Sequence, residues 1–317
     1  MRLSSQEVYD KLVNEERILE IEGQIKFFLG DVDIIVRQKD VVGNIMQEWL
    51  QGWMDRRNIE YAPSGNTQMP PDFFLNPDDL TTGLLEVKAF NRNGEPGFDI
   101  ADFRMYAEEI QAKPYMLYVD YLIFGYDMSD EGIVTIKDIW LKKVWEISRR
   151  SENYPLNLQV KDGVIHKIRP GIWYSRGNVD YTVFTGIEDF VSAMEETTFV
   201  EPRLRNSIAP TWLTVFQRNY RAKYGHELDV PRWRDIKENY NQRSIRVREK
   251  ARASLEKAKE KVNSLLLKLA QKENARETAR TQLQIEKADA AIEKTREQLR
   301  QAQEKADATE AAYNALS

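Results

Sequence analysis

The sequence predicts an α/β fold in which a mixed β-sheet is flanked by helices and followed by a long C-terminal helical or coiled-coil extension. Residues 41–124 suggest the order helix, strand, strand, helix, strand, which is typical of α/β proteins. Residues 115–124 (YMLYVDYLIF) are almost continuously apolar, as in a strand buried on both faces. From about Ile245 to Asn314 there is no Gly or Pro, which favours long helices.

The N-terminal elements follow from capping residues and periodicity. Ser4 or Ser5 can begin a helix that runs to about Glu16. Residues 18–37 alternate between apolar and polar types around two glycines, which predicts a β-hairpin. Residues 41–58 carry apolar side chains at helical spacing and predict an amphipathic helix, with Glu48 bordering its apolar stripe.

The central elements are separated by turn-forming residues. Two short apolar runs, 72–75 and 84–90, predict a pair of strands joined by a loop. Residues 98–112 predict a helix that Pro114 ends, and residues 115–124 form the next strand. Further strands are expected at 132–136 and 156–168, where Lys161-Asp162-Gly163 favours a hairpin turn.

Composition excludes several classes of protein. The 317 residues include no Cys, so disulfides and Cys-based metal sites are impossible, in keeping with a reducing cytoplasm. His166 and His226 are the only histidines and lie 60 positions apart, which argues against a histidine-based site. No motif for binding nucleotide phosphates occurs. No apolar run is long enough to cross a bilayer, so we expect a cytoplasmic protein without a membrane partner.

Charge is distributed unevenly and suggests three regions, 1–202, 203–250 and 251–317. The chain carries a formal charge of −5, yet residues 203–252 hold 13 Lys and Arg against 5 Asp and Glu. This basic, aromatic-rich segment is either a DNA-contact region or simply a solvated basic helix. Its candidate phosphate contacts are Arg203, Arg205, Arg218, Arg221, Lys223, Arg232, Arg234 and Arg243. Trp212, Phe216 and Tyr220, at fourfold spacing, are better explained as helix core than as base-stacking groups.

The chemistry is expected on the second strand of the central pair. Glu86 and Lys88, two residues apart, project from the same face of a strand, and Asp72 at the start of the adjoining strand can reach them. Two neighbouring carboxylates suit Mg²⁺, and a lysine beside a metal-bound water can orient it for attack on a phosphodiester. Glu48 is a further ligand or a supporting group. The pattern predicts a Mg²⁺-dependent DNA endonuclease.

Two other patterns in the sequence compete with this site. Asp235-Ile236-Lys237 has the same Asp-x-Lys spacing but lacks apolar strand flanks. Asp78 also follows a proline, but it lies in the turn and too close in sequence to Glu86 to face it. The alternative is that Glu86 and Lys88 have no catalytic role and form a surface salt bridge on an edge strand.

Several strings together resemble type II restriction endonucleases of the PD-(D/E)XK class, and most closely the NgoBV-type family. They are 43–49 (GNIMQEW), 66–73 (NTQMPPDF), 84–90 (LLEVKAF), 98–103 (FDIADF), 121–126 (YLIFGY) and 140–145 (WLKKVW), and the likeness covers roughly residues 1–205. The resemblance implies a restriction-endonuclease-like core, metal ligation by Asp72 and Glu86, and a catalytic role for Lys88. It also implies that the enzyme acts as a homodimer on double-stranded DNA at a short palindrome of the GGNNCC type. A cognate DNA methyltransferase would be its functional partner.

Further predictions concern DNA contacts and the C-terminal region. Gln68, just before the active-site strand, is either a DNA contact or a turn-stabilising amide, and Asn91 and Arg92 are also candidates. The C-terminal residues show two heptad registers that do not connect, so the chain forms either a coiled coil with a phase break or an antiparallel hairpin. Its role stays open between dimerisation, DNA contact and packing on the core. Two other functions remain: a repair or recombination nuclease, and a non-enzymatic DNA-binding coiled-coil protein.

Overall fold

The computed structural model describes residues 1–65, 69–175 and 179–315. The chain forms two compact units, Met1–Asn241 and Gln242–Ser317. The helices of the first unit are α1 Ser5–Asp10, α2 Val41–Arg56, α3 Phe103–Ala112, α4 Val144–Ile147, α5 Ile187–Val200, α6 Trp212–Tyr224 and α7 Trp233–Ile236. Its strands are β1 Glu22–Gln24, β2 Lys26–Leu29, β3 Val32–Ile35, β4 Ala62–Pro63, β5 Phe73–Phe74, β6 Leu84–Asn91, β7 Ala101–Asp102, β8 Asp120–Met128, β9 Ile133–Lys143, β10 Leu158–Lys161 and β11 Val164–Ile168.

A six-stranded mixed sheet organises the first unit, with the strand order β1-β9-β8-β6-β5-β4. The central pair, β6 and β8, is parallel, and the other neighbours are antiparallel. Smaller sheets are formed by β10, β11 and β7 and by β2 and β3. The predicted fold class, a mixed sheet flanked by helices, is confirmed.

The sheet separates two apolar cores, which is why β8 is buried on both faces. Tyr121 and Ile123 pack into the core that also includes residues of α3, α5 and α6. Leu122 and Phe124 point to the opposite side, into the core that includes residues of α1 and α2. All four side chains are fully buried, as predicted for this strand.

The first two helices begin close to where the sequence predicts. Ser4 caps α1 in a capping box, since its hydroxyl accepts from the Glu7 amide while the Glu7 carboxylate accepts from the Ser4 amide. After Asp10 the helix widens into one π turn, Lys11–Glu15. Helix α2 has the predicted amphipathic pattern and buries five apolar side chains, among them Met46 and Leu50.

Two element boundaries differ from the prediction. The helix expected over 98–112 begins only at Phe103, because Asp102 caps it by accepting from the Met105 amide at 3.1 Å. Ala101 and Asp102 are instead paired with β11. The strand expected over 115–124 is displaced, because Pro114–Tyr118 forms a 3₁₀ turn and β8 then runs from Asp120.

The hairpin predictions are confirmed. Strands β10 and β11 are joined by Asp162-Gly163, both with positive φ (51° and 74°), as a two-residue turn of the mirror-image type requires. Within the predicted hairpin region 18–37, β2 and β3 pair around Gly30, which has a φ of 62°. Strand β1 precedes that hairpin in the chain and pairs with β9 at the edge of the main sheet.

The second unit is a helical hairpin of α8 (Gln242–Glu277) and α9 (Gln282–Asn314). Its antiparallel register is shown by the Lys259–Glu310 ion pair at 2.7 Å and the Arg276–Asp289 ion pair at 2.9 Å. The interface buries Leu255, Leu265, Ile292, Thr295, Leu299 and Ala306. Of the two predicted arrangements, the antiparallel hairpin is therefore present. Among the described helices none is long and apolar enough to cross a membrane.

Candidate active site

The site is built where β5 meets the parallel centre of the sheet. Glu86 and Lys88 lie on β6 and face one side, while Leu85 and Val87 pack into the core on the other. Asp72 precedes β5, and its amide donates to the Leu85 carbonyl at 3.0 Å. Its Oδ2 accepts from the Val87 amide at 2.8 Å. These two bonds hold the Asp72 carboxylate beside Glu86.

Glu86 and Lys88 form a buried ion pair. The Lys88 Nζ lies 2.6 Å from Glu86 Oε1, and the Glu86 residue is only 4% exposed. Glu86 Oε2 is also buried, and no donor from the described residues reaches it. An acidic oxygen that is buried without a donor is costly unless something else binds it. The alternative of a surface salt bridge on an edge strand is wrong, because β6 is central and the pair is buried.

Burial dominates the electrostatics of the three groups. It raises the pKa of Glu86 to about 7; the Lys88 ammonium opposes this rise and the Asp72 charge adds to it. Burial also raises the pKa of Asp72, against the opposing effects of the Val87 amide and Lys88. For Lys88, burial alone lowers the pKa, but the charges of Glu86, Asp72 and Asp99 outweigh it and the pKa is raised. Lys88 therefore stays an ammonium.

The arrangement suits a divalent cation that keeps much of its water. Two carboxylates share one buried position, and the Glu86 Oε2 is available as a ligand. Mg²⁺ is commonly held by one or two carboxylates, with waters and substrate phosphates completing its octahedron. The described residues contain no cluster of three or more His, Cys, Asp or Glu side chains placed to hold a metal. Asp72 and Glu86 therefore fit a magnesium ion that shares its coordination with water and substrate.

Helix α2 contributes a polar wall to the cleft around these groups. Asp40 precedes the helix and, together with Asn44 and Gln47, lines the cleft at i, i+4 and i+7 spacing. Glu48 is exposed and is not part of this lining. It follows Gln47, and each residue of an α-helix turns the side-chain direction by about 100° around the axis. The structure thus does not bring Glu48 to the carboxylate pair. The apolar stripe of α2 was predicted from its periodicity, whereas its polar stripe was not recognised as a wall of the site.

The segment before α3 supplies further charged residues. Asp99, Asp102 and Lys167 line the cleft, and Asp99 is paired with Arg169. Lys167 lies 3.8 Å from Asp102. These groups were not predicted, because residues 98–102 were expected in a helix and instead form an extended segment beside β11.

The competing motifs lie elsewhere in the first unit. Asp78 is exposed and forms an ion pair with Arg2 at 2.6 Å. Asp235 and Ile236 belong to the short helix α7, and Lys237 begins a 3₁₀ turn. The preference for Asp72 and for Glu86-Val87-Lys88 agrees with this placement.

The candidate DNA contacts near the cleft differ in their surroundings. Asn91 ends β6 and lines the cleft, where its Oδ1 accepts from the Asn93 amide at 2.9 Å. Arg92 forms an ion pair with Asp138 at 2.5 Å, and its guanidinium lies 4.2 Å from the centre of the Tyr174 ring. Gln68 lies outside the described residues.

Within the first unit, helix α6 of the basic segment packs into the core through its aromatic side chains. Trp212 and Phe216 are fully buried and Tyr220 is 2% exposed, so their assignment to the helix core is confirmed. Several of the basic side chains have intramolecular partners: Arg203 with Glu201, Arg205 with the Phe199 carbonyl, Arg221 with Glu227, Lys223 with Thr81, and Arg234 with Asp235. Arg218, Arg232 and Arg243 are exposed.

A mixed sheet flanked by helices, with an Asp-Glu-Lys cluster on neighbouring strands, defines a nuclease of the restriction endonuclease class. A family model described as NgoBV restriction endonuclease matches residues 2–240. The type II restriction enzyme NlaIV of Neisseria lactamica is 58% identical over 243 residues, which are 77% of this chain and 100% of that enzyme. The type II restriction enzyme NgoBV of Neisseria gonorrhoeae is 60% identical over 161 residues, or 51% of this chain and 91% of that enzyme.

The solved structure of the NlaIV restriction endonuclease agrees with these matches. It is 59% identical, aligns with a TM-score of 0.74, and covers 76% of this chain and 98% of its own. The chain therefore belongs to the NgoBV restriction endonuclease family and is a type II restriction endonuclease. The family match stops at residue 240, whereas the helical hairpin begins at Gln242.

Proposed function

We propose that this enzyme hydrolyses double-stranded DNA with Mg²⁺ bound by Asp72 and Glu86 and with Lys88 as the catalytic lysine. The observation that carries the proposal is the buried Oε2 of Glu86 beside the Asp72 carboxylate, which no donor from the described part of the chain reaches. The surrounding cleft has a volume of about 760 Å³. Magnesium bound there would polarise the scissile phosphate and acidify a water.

The protein groups have separate tasks in this mechanism. The Val87 amide fixes one oxygen of Asp72, so that its other oxygen can turn to the metal. Glu86 would hold the metal with its free oxygen, while Oε1 accepts from the Lys88 ammonium and positions it. Lys88 orients the attacking water and stabilises the negative charge that develops on the phosphate. Asn44 and Gln47 can donate hydrogen bonds to the DNA that enters the cleft.

We also propose a target and an assembly, supported by the membership of the chain in this family. We expect a short palindrome of the GGNNCC type, since a two-fold symmetric sequence is matched by a symmetric pair of active sites. A homodimer is the simplest assembly that cuts both strands. The DNA lies in the cytoplasm, where a cognate methyltransferase would protect the same sites in the host genome.

Backbone contacts outside the cleft are assigned to the basic segment 203–250. Arg218, Arg232 and Arg243 are the favoured contacts because they are exposed. Arg203 and Arg205 are bound to groups of their own unit, which favours a structural role for them. Asn91 is the favoured contact at the mouth of the cleft.

Incubation of the purified chain with plasmid DNA and Mg²⁺ tests the proposal. Discrete fragments are expected, whereas a smear or nicking would indicate a structure-specific nuclease and uncut DNA would contradict the proposal. The Lys88→Ala variant should lose about 100-fold or more in cleavage rate. Its matched control is Lys237→Ala, in the Asp-x-Lys motif outside the cleft, which should cut normally.

The carboxylate assignment has its own pair of variants. Asp72→Asn should weaken Mg²⁺ binding measured by calorimetry and abolish cleavage, because it removes one of two charged ligands. Asp78→Asn, on an exposed side chain paired with Arg2, should change neither. Equal activity of the two variants would remove Asp72 from the site.

A further inference from the structure

The cleft around the carboxylate pair is strongly acidic, although its expected substrate is a polyanion. Of the described residues that line it, six are acidic and two are cationic. The acidic residues are Asp40, Asp72, Glu86, Glu95, Asp99 and Asp102, and the cationic ones are Lys88 and Lys167. Even with a divalent cation bound, the negative charges outnumber the positive ones. A DNA strand therefore needs a cation of the protein wherever its phosphates pass through the cleft.

Lys88 is already committed to the carboxylate pair. Its Nζ lies 2.6 Å from Glu86 Oε1. In the proposed mechanism the same ammonium acts at the scissile phosphate, so a second phosphate of the bound strand has to be met by another group. Among the described residues of the cleft lining, Lys167 is the remaining cation.

The backbone of Lys167 is held firmly, because it lies on the middle strand of the sheet formed by β10, β11 and β7. Lys167 is paired with Gln159 on one side and with Asp102 on the other. The next residue, Ile168, is fully buried in the core that also includes residues of α3. The Lys167 side chain is 28% exposed and can be reached from the cleft. A binding group on a strand is positioned more precisely than one on a loop.

Asp102 holds the Lys167 ammonium by charge and leaves its hydrogen-bond donors unused. Asp102 Oδ1 accepts from the Met105 amide at 3.1 Å and so caps α3. Lys167 Nζ lies 3.8 Å from the other oxygen, Oδ2, which is too far for a hydrogen bond. By contrast, Arg169 on the same strand segment donates directly to Asp99. An ammonium has three donors, and the contact with Asp102 takes none of them.

We propose that Lys167 is a substrate-binding residue that donates to a backbone phosphate of the DNA strand in the cleft, other than the scissile one. The inference rests on the proposed nuclease function and deepens it by naming a contact inside the cleft. Asp102 is the positioning residue, since its capping bond fixes the carboxylate that attracts the ammonium. A lysine suits this task because it meets a phosphate as a point charge. The contact fixes the position of the strand and carries no sequence information.

The first test measures how DNA binding depends on salt. Lys167→Met removes the charge and the donors but keeps the length of the side chain. A labelled fragment of the test plasmid is the probe, since phosphate contacts do not depend on sequence. The titration is made with Mg²⁺ on the Lys88→Ala background, which should keep the probe uncut.

Loss of one phosphate contact has a defined effect in this titration. The slope of log affinity against log salt concentration should become shallower by about 0.9 in Lys167→Met. The affinity at low salt should fall by about 10-fold or more, as expected for a lost hydrogen bond from a charged group. Lys167→Arg keeps the positive charge and should restore the native slope.

The matched control is Lys161→Met. Lys161 is an exposed lysine on the same β-hairpin, at the end of β10, and it is not among the residues that line the cleft. Its variant should keep the native slope. An unchanged slope in Lys167→Met, or an equal change in Lys161→Met, would overturn the proposal. A lower Tm of Lys167→Met together with the native slope would assign Lys167 to a purely structural pair with Asp102.

The second test separates binding from chemistry in steady-state cleavage. A contact that is equally strong in the ground state and the transition state changes KM and leaves kcat as it is. Lys167→Met should therefore raise KM by about 10-fold with native kcat, whereas Lys88→Ala should lose kcat. A loss of kcat with native KM in Lys167→Met would refute the binding role. Cut probe in the Lys88→Ala titration would contradict the proposed catalytic lysine, and the KM values would still report on Lys167.

Discussion

Arg203 is both a predicted DNA contact and the partner of a buried carboxylate, and replacing it separates the two roles. The Glu201 side chain is fully buried, and its Oε1 accepts from Arg203 Nε at 2.6 Å. Its Oε2 accepts from the Ile165 amide at 3.0 Å, while Arg203 also donates to the Ile165 carbonyl at 3.0 Å. Arg203→Ala would remove the charged donor and leave Glu201 buried with two backbone donors, the Ile165 amide at 3.0 Å and the amide of residue 203 at 3.4 Å.

The magnitude follows from the exposure of the two partners. Breaking a fully buried ion pair costs about 3–5 kcal/mol, and a fully exposed pair contributes at most about 1 kcal/mol. The Arg203 side chain is 46% exposed, so solvent screens the pair and an intermediate loss of about 2 kcal/mol is expected. For a unit of this size that loss lowers the Tm by about 4–8 °C.

Calorimetric unfolding and a DNA-binding titration on the same variants provide the assay. A double-mutant cycle with Glu201→Gln should show that much of the cost of Arg203→Ala is coupled to Glu201. Arg218→Ala, on an exposed side chain of α6, should keep the native Tm and weaken DNA binding. An Arg203→Ala variant with an unchanged Tm and lost DNA binding would refute the structural assignment.

Three further outcomes are expected. Ending the chain at Asn241 should leave a cooperatively folding enzyme, seen by calorimetry, because the family match ends at residue 240 and the first unit at Asn241; loss of the folded state would contradict this. Gly225→Ala should lower the free energy of unfolding in urea by about 1 kcal/mol, because φ is 81° at this helix end and no neighbour lies within 4 Å of an added Cβ. Burial raises the pKa of Glu201, but Arg203 and the Ile165 amide outweigh it and the pKa is lowered. Its stabilisation is therefore full above the unfolded pKa of about 4.3 and is lost as pH falls through the lower folded value; Glu201→Gln should flatten that acid loss in unfolding experiments.

The centre of the site could be predicted because it depends on local rules. The two-residue period of a strand places Glu86 and Lys88 together, and the apolar flanks of that strand distinguish it from the motif at Asp235. The strand period and the apolar flanks depend only on residues that are neighbours in sequence. The placement of Glu86 and Lys88 on one face is therefore predicted correctly wherever the strand itself is.

The walls of the cleft could not be predicted in the same way. Asp99 and Asp102 reach it because the chain pairs with β11 before α3 begins, and such pairing between distant residues leaves little trace in a local pattern. Asn44 and Gln47 were recognisable only as the polar side of an amphipathic helix, which is solvated in most proteins. Partners such as Glu201 for Arg203 follow from tertiary contacts, so a count of basic residues overstated the number available to DNA.

The boundary at Asn241 has a consequence for how this enzyme can be altered. The end of the family match and the end of the first unit nearly coincide, and the next residues form a hairpin with its own interhelical ion pairs and buried seam. The boundary between the two units is therefore a suitable place to replace the second unit by another domain. A different module joined after residue 241 is expected to leave the first unit, which holds the cleft, folded as it is.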